Sequence, residues 1–327
     1  MISTSQILER ESSPQSTLLG LIGLVIPTWN AGKYWSSMEK AIGQQGIAPD
    51  QVLIIDSSSS DNTRSLARDA GYRLKVISQQ SFGHGVTRQL AAELSPRSEI
   101  LVYLTQDALL CNEKSLENLV AAFRNPDVGA CYGRQLPRAD AGPIERHARL
   151  FNYPEVSALR TFEDRQEYGI RAAFFSNSFA AYRRSAFEEV GGFPLDTIVS
   201  EDVSLVARML MAGRKVAYQA DATVIHSHDF TLTQEFSRYF DIGVHHSRER
   251  WIVDEFGSAK GEGRKFVLSE IRFLCKSAPG LLPVAAIRSA NKWCAYQLGR
   301  HEGYLPHRLK RALSAQKWFW ARDRNRQ

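Results

Sequence analysis

Cysteine is scarce in this chain: Cys111, Cys131, Cys275 and Cys294 are scattered over 327 residues with no C-x-x-C pair. That argues against a zinc ribbon or a disulfide framework. The four read as reduced core residues of a cytoplasmic protein. Long apolar runs are missing too. The longest, TLLGLIGLVIP at 17–27, is too short for a bilayer span and ends in proline. No basic cluster precedes it, and Glu9 and Glu11 stand there instead, so a signal peptide is not expected. There is no G-x-G-x-x-G spacing, no Gly-Lys-Ser/Thr phosphate loop and no G-x-S-x-G elbow. Dinucleotide-dependent hydride transfer, P-loop ATPase and serine hydrolase readings therefore all lose ground. No internal repeat or low-complexity tract is evident.

What is present suits a globular chain, with 43% hydrophobic and 23% charged residues. The charge is unevenly spread. From residue 256 onward there are 15 Lys+Arg against 4 Asp+Glu, or +11, while residues 1–255 hold 26 against 31, or −5. A basic end of this kind suggests either an anionic partner surface or a solvated helical face.

Residues 1–19 are polar and aperiodic and read as a flexible arm. Strand and helix patterns then alternate. LIGLVIP (21–27), QVLIID (51–56), RLKVIS (73–78) and EILVYL (99–104) are strand-like. Amphipathic stretches near 34–45, after Asp61, near 86–94 and near 114–124 are helical. The alternation predicts an α/β fold with a parallel sheet covered on both faces. Three strands end in polar residues, at Pro27-Thr28-Trp29-Asn30, at Asp56 with Ser57–Ser60, and at Thr105-Gln106-Asp107. In such a sheet these ends converge, and ligands bind there. The segment 134–170 reads as an irregular polar flap or insertion. SEDVSLVARMLMAGRKVAYQ (200–219) reads as a helix capped by Ser200 and stopped by Gly213, followed by a strand. Beyond about 230 helical periodicity dominates.

Three constellations can carry chemistry. Glu201 and Asp202 fall in a first helical turn at the rim of the core, where a carboxylate can act as general base. SFGHGVTRQ (81–89) places Gly83 and Gly85 before Arg88, a layout able to receive a diphosphate at a helix start. In VIHSHDF (224–230), His226 and His228 point to one side if the strand continues, as metal ligands or as structural polar groups. His245 and His246 lie within a helix, one ring packed and one facing solvent.

In order along the chain, VIPTWN, IIDSSSSDNT, FGHGVTRQ, LTQDA and SEDVSLVARMLMAGRKV resemble the inverting nucleotide-sugar glycosyltransferases of the GT-A fold, family 2. FGHGVTRQ, the Thr-Gln-Asp motif and HSHDF look like that family's rhamnosyltransferase branch, which builds bacterial surface polysaccharides. The resemblance implies a Rossmann-like nucleotide-sugar-binding sheet over residues 20–230, with a helical, basic extension over 231–327. It implies that Pro27, Thr28 and Asp56 hold the donor's base and ribose, that Arg88 lies near its diphosphate, and that Asn30, Ser58, Gly85 and Gln106 complete the donor site. Asp107 would ligate a divalent cation, Mg2+ or Mn2+, with His226 or His228 as a further ligand. Asp202 would be the catalytic base, with Glu201 next in line. Two departures stand out: Ser57 replaces the second acid after Asp56, and Thr105 replaces the acid that opens the metal motif.

The expected activity is transfer of L-rhamnose from dTDP-L-rhamnose, or of another UDP- or dTDP-sugar, to a lipid-linked saccharide in the cytoplasm or at the inner membrane face. A non-catalytic nucleotide-sugar-binding protein is the competing reading, and an acid at 202 counts against it. Nucleic acid is not an expected partner, because the tail carries no nucleic-acid motif and the front is net acidic. Trp318, Phe319 and Trp320 would sit at an anionic membrane interface, or else the tail packs on the catalytic core or on a second subunit.

Overall fold

The structure, a computed structural model, describes residues 18–258 and 261–323. The arm expected over 1–19 lies outside these residues, apart from Leu18 and Leu19, which pack on the core. Among the described residues five strands come first: β1 (Ile22–Thr28), β2 (Val52–Asp56), β3 (Arg73–Val76), β4 (Ile100–Leu104) and β5 (Leu109–Leu110). They are followed by β6 (Val128–Leu136), β7 (Ala158–Arg160), β8 (Phe179–Arg183) and β9 (Lys215–Ile225). The strands form one sheet in the order β3-β2-β1-β4-β8-β6-β9-β5, with β7 also paired to β9. The β3-β2-β1-β4 part is parallel, as the alternation predicts.

β1, β2 and β4 are near-continuous apolar runs because both of their faces are covered. Leu24, Ile26, Val52, Ile54, Val102 and Leu104 point to one layer. That layer is closed by α1 (Gly32–Gly43), α2 (Thr63–Asp69) and α4 (Ser115–Val120). Val25, Leu53, Ile55, Leu101 and Tyr103 point to the other. There α3 (His84–Glu93), α7 (Arg184–Glu189) and α8 (Glu201–Met211) pack. Each fully buried aliphatic side chain contributes ~1.5–3 kcal/mol of burial free energy.

Register decides where the polar strand ends meet. Thr28 pairs with Asp56 across parallel strands, and Leu104 pairs with Phe179 across an antiparallel one. Leu136 of β6 pairs with Ile225 of β9. The C-terminal ends of β1, β2, β4, β6 and β9 and the start of β8 therefore share one edge. One carboxylate ties two helix starts there: Asp61 accepts from the Gly32 amide at 2.9 Å and from the Thr63 amide at 3.0 Å. It sits one residue before the cap position of α2, which Asn62 occupies without a side-chain bond.

Segment 134–170, expected to be a flap or an insertion, has regular secondary structure, and part of it lines the larger cleft described below. It finishes β6 and forms α5 (Pro143–Asn152), β7 and α6 (Arg165–Tyr168). α5 was hard to read because its packed face is sparse, with His147 set among Phe151, Phe266 and Phe273. Ser200 does not cap α8 by its side chain. It adopts a left-handed backbone (φ 59°) in place of the extended geometry a capping hydroxyl needs. Of the cysteines only Cys131 is in the core, while Cys111, Cys275 and Cys294 are exposed.

Among the described residues six α-helices follow β9: α9 (Leu232–Arg248), α10 (Arg250–Phe256), α11 (Glu262–Ser277), α12 (Leu282–Arg300), α13 (His307–Leu313) and α14 (Lys317–Asp323). α9 starts at a capping box in which Thr231 accepts from the Gln234 amide and Gln234 accepts from the Thr231 amide. α9 and α12 touch backbone to backbone: a Cβ on Gly243 would collide with the Tyr296 carbonyl, and one on Gly299 with the Phe240 carbonyl. His245 is the packed ring of its pair, and His246 bonds Tyr296 Oη at 3.0 Å. Phe319 and Trp320 are buried against Phe240 and Val244, so they are unavailable to a headgroup layer. Among the described residues no helix is long and apolar enough to cross a membrane.

Candidate active site

Two cavities, of about 200 and about 570 Å³, open side by side along the polar edge and share His84, Arg88 and Thr105 in their walls. The smaller is lined by Pro27, Thr28, Trp29, Ser57, Phe82 and Gln106 among others. Asp56 lies beneath it, fully buried, and accepts from Thr28 Oγ1 (3.1 Å), the Ser59 amide (2.9 Å) and Ser59 Oγ (2.5 Å). Gln106 pairs with the Trp29 backbone as a neighbouring strand would, accepting from its amide at 2.8 Å and donating to its carbonyl at 3.2 Å. That pairing holds the Trp29 ring, 55% exposed, over the cavity mouth. Trp29 and Phe82 offer flat apolar faces to a planar group.

Arg88 stands between the cavities. Its Nη1 donates to Glu201 Oε1 at 2.6 Å, and its buried Nε–H has no acceptor among the described residues. A guanidinium in the wall shared by two cavities suits an anionic ligand. Glu201 also accepts from Asn177 Nδ2 at 3.0 Å. Burial would raise the Glu201 carboxyl, but Arg88, His84 and Asn177 outweigh it and hold the group below its ordinary value. Asp202 is in the opposite situation. Burial first, then the neighbouring Glu201 charge, push its carboxyl up to about 7. Two amides orient it, Asn177 to Oδ2 and Val203 to Oδ1, each at 2.9 Å. A carboxylate poised near neutrality beside a solvent-filled cleft is suited to taking a proton.

Asp107 leaves the end of β4 and meets the end of β9. His226 Nε2 lies 3.5 Å from Asp107 Oδ1, His228 Nε2 lies 3.3 Å from Oδ2, and the two Nε2 atoms are 3.0 Å apart. The ligand atoms of all three fall within 4.8 Å of one another. His226 Nδ1 is 2.8 Å from Gln135 Oε1. That oxygen accepts, so Nδ1 is the donor to it and Nε2 is the ring atom turned toward Asp107. Gln135 is fixed in turn, accepting from Arg149 Nη1 at 2.5 Å and donating to Ser176 Oγ at 2.9 Å. A ligand imidazole oriented by an outer partner is the arrangement metal sites use. Burial alone would raise the Asp107 carboxyl, but the two imidazoles outweigh it and hold the group well below the usual range. Burial and His226 lower His228 to about 4, which leaves it neutral and able to ligate near pH 7. The residues fit a divalent cation. Two imidazoles take the place of the acid missing at Thr105.

Asp107, Arg88, Glu201, Asp202, His226 and His228 thus line one cleft. Other expected donor contacts have different work. Asn30 Oδ1 accepts from the Ser60 amide at 2.9 Å, and Ser58 Oγ donates to the Ile77 carbonyl at 2.7 Å. Both residues have positive φ, and these bonds hold the turns in that conformation. Gly85 faces away from the cavities, where a Cβ would strike the Pro194 carbonyl, so its role is close packing of α3. Sequence reasoning missed Gln135, Asn177 and Arg149. They join the site only through contacts far apart in the chain and leave no local signal.

Residues 24–191 match the family described as Glycosyl transferase family 2. The chain belongs to glycosyltransferase family 2, and its sheet with flanking helices is the GT-A fold. It is 46% identical over 300 residues, covering 91% of its own length and 96% of the relative's, to the O-antigen chain rhamnosyltransferase RfbN of Salmonella typhimurium. To the O-antigen chain rhamnosyltransferase WbaN of Salmonella anatum it is 46% identical over 298 residues, 91% and 95% of the two lengths. A mannosyltransferase, PcManGT from Pyrobaculum calidifontis, solved with GDP-Man and Mn2+, superposes with a TM-score of 0.56 at 21% identity, over 96% of this chain and 89% of that one. The family match ends before Asp202, His226 and His228.

Proposed function

We infer that the protein is an inverting rhamnosyltransferase of O-antigen-type polysaccharide synthesis, moving L-rhamnose from dTDP-L-rhamnose to a hydroxyl of a lipid-linked saccharide. What carries the reading is one cleft holding both a carboxylate raised toward neutrality at Asp202 and an Asp107-His226-His228 cluster. The 46% identity to two rhamnosyltransferases along nearly the whole chain favours rhamnose over other sugars.

On this reading the nucleoside occupies the smaller cavity over Thr28 and Asp56, with its base between Trp29 and Phe82. Arg88 brings its guanidinium to the diphosphate at the junction of the cavities. Asp107, His226 and His228 hold a divalent cation. Its nitrogen-rich donor set favours Mn2+ over Mg2+, and when bound the cation neutralises charge on the departing diphosphate. Asp202 accepts the proton of the acceptor hydroxyl as that oxygen attacks the anomeric carbon opposite the diphosphate, so configuration inverts in one displacement. The Asn177 and Val203 amides keep the base aimed throughout.

The test is transfer of rhamnose by the full chain from dTDP-L-rhamnose with Mn2+, with the anomeric configuration of the product read by NMR. Equal rates from UDP-sugars would displace the donor assignment, and retained configuration would displace the mechanism.

Peripheral contact with an anionic membrane has its support at α11 and not at Trp318–Trp320. One exposed stripe there carries Arg264, Lys265, Val267, Leu268, Ile271 and Arg272. The carboxylates from residue 261 to 311, at Glu262, Glu270 and Glu302, are all withdrawn from full exposure. A twofold contact between two copies would set these cations against themselves, so a homo-oligomer through α11 is disfavoured. Co-flotation with anionic liposomes that is lost in an Ile271→Glu variant is the expected result.

A further inference from the structure

The tail's aromatic cluster leaves Trp318 unaccounted for. Unlike Phe319 and Trp320 it is only half-buried, and it reaches across to the donor side of the site. Its ring lies 3.2 Å from where a Cβ on Gly83 would be. Gly83 has an extended backbone (φ −168°) that any residue adopts, so the space taken by Trp318 and the Arg322 head is what asks for glycine there. The indole also meets the rings of Phe82 at 6.3 Å and His84 at 6.5 Å, edge to face. Phe82 and His84 line the smaller cavity, and Arg88 follows His84 by one turn of α3.

The wedge is held on both sides. Trp318 Nε1 donates to Gln316 Oε1 at 2.7 Å, and Gln316 itself lines the larger cleft. Arg322 lies over the indole, 5.3 Å from the ring centre, and donates to the Gln80 carbonyl at 2.6 Å. From behind, the Ala315 amide donates to Asp241 Oδ2 at 3.0 Å, and His307 Nε2 donates to the Trp320 carbonyl at 2.9 Å. A segment near the chain's end is thus anchored on α9 and pressed against the loop that opens α3.

We propose that Trp318, with Arg322, is a positioning residue of the donor site: it fixes the loop at 79–84, and through it sets His84 and Arg88 for a nucleoside diphosphate. The proposal rests on the donor site assigned above. It makes the C-terminal helix a working wall of the transferase. Removing the ring lets the loop and the start of α3 relax, and a displacement of about 1 Å at a binding group costs up to ~10²-fold.

The experiment is calorimetric titration of dTDP with Mn2+ into full-length wild type, Trp318→Ala, Trp318→Phe and Gly83→Ala, with the thermal midpoint of each and the acceptor KM as controls. The expected result is dTDP binding weakened between about ten- and a hundredfold in Trp318→Ala, largely restored in Trp318→Phe, with midpoint and acceptor KM unchanged. Gly83→Ala, which crowds the ring and the Arg322 head without altering either, weakens dTDP binding in the same direction and decides the matter if Trp318→Ala fails to fold. Wild-type dTDP affinity in folded Trp318→Ala or in Gly83→Ala overturns the proposal, as does a fall in midpoint with a rise in acceptor KM in step with the binding loss. No dTDP binding by the wild type overturns the donor-site assignment itself.

Discussion

Two carboxylates of one cleft have been given opposite characters by the elements that carry them. Asp107, at the end of β4, faces two imidazoles and stays ionised well below the ordinary range. Asp202, in the first turn of α8, is buried beside another acid and titrates near 7. The residue type is the same and the environments are not, so one suits a cation and the other a proton. Glu201 sharpens the contrast. Arg88 neutralises it, and yet its remaining charge helps raise Asp202. Sheet geometry sets the first character and helix-start packing the second.

The contrast breaks most severely at Asp202. Asp202→Asn keeps the shape and removes the base, so kcat should fall ~10²–10⁴-fold while donor affinity by calorimetry stays at the wild-type level. A wild-type rate would exclude the assignment and direct attention to Glu201. Asp107→Ala comes next. Loss of the cation's charge costs several kcal/mol in the transition state, and both Mn2+ and donor binding should weaken together. Full activity of that variant in a chelator would remove the metal role. Gln135→Leu leaves every ligand in place but frees the His226 ring, and Mn2+ affinity should drop ~10–100-fold, measured by EPR titration.

The smallest effects come from pH. The Asp202 base takes up a proton as pH falls through about 7, so log kcat should fall with unit slope on the acid side, and that limb should vanish in Asp202→Asn. Because the folded value lies above the ordinary 3.8, the stability of neutral Asp202 is complete below 3.8 and is lost as pH rises through about 7. Asp202→Asn should therefore gain thermal midpoint over wild type at pH 8 and not at pH 3.5, by a few degrees. Equal midpoints at both pH values would mean that Asp202 is not strained by ionisation.

Legibility followed physical locality. β1, β2 and β4 were readable because strands buried on both faces must be continuous apolar runs, and each stops at a polar residue where the edge begins. Asp107, His226 and His228 could each be flagged from local pattern. Their joining depends on β4 and β9 ending at the same sheet edge, which no stretch of sequence states. Ser200 misled because its residue type suits a cap while its backbone does not. Trp318–Trp320 left two readings open, because aromatics among cations look alike whether they cover a lipid surface or the protein's own flank, and Phe319 and Trp320 take the second. Asn30 and Ser58 were located at the site, but the bonds that hold their strained turns belong to the fold.

The close crossing of Gly243 and Gly299 has a reach beyond its own helices. With no side chain between them the two backbones abut, so α9 and α12 can only shift as a single plate. α9 begins four residues past His228, and the segment bearing Trp318 is fastened to it through Asp241. One methyl group added at that contact would tilt the plate, and the strain would arrive at opposite ends of the cleft, at the histidine pair and at the indole.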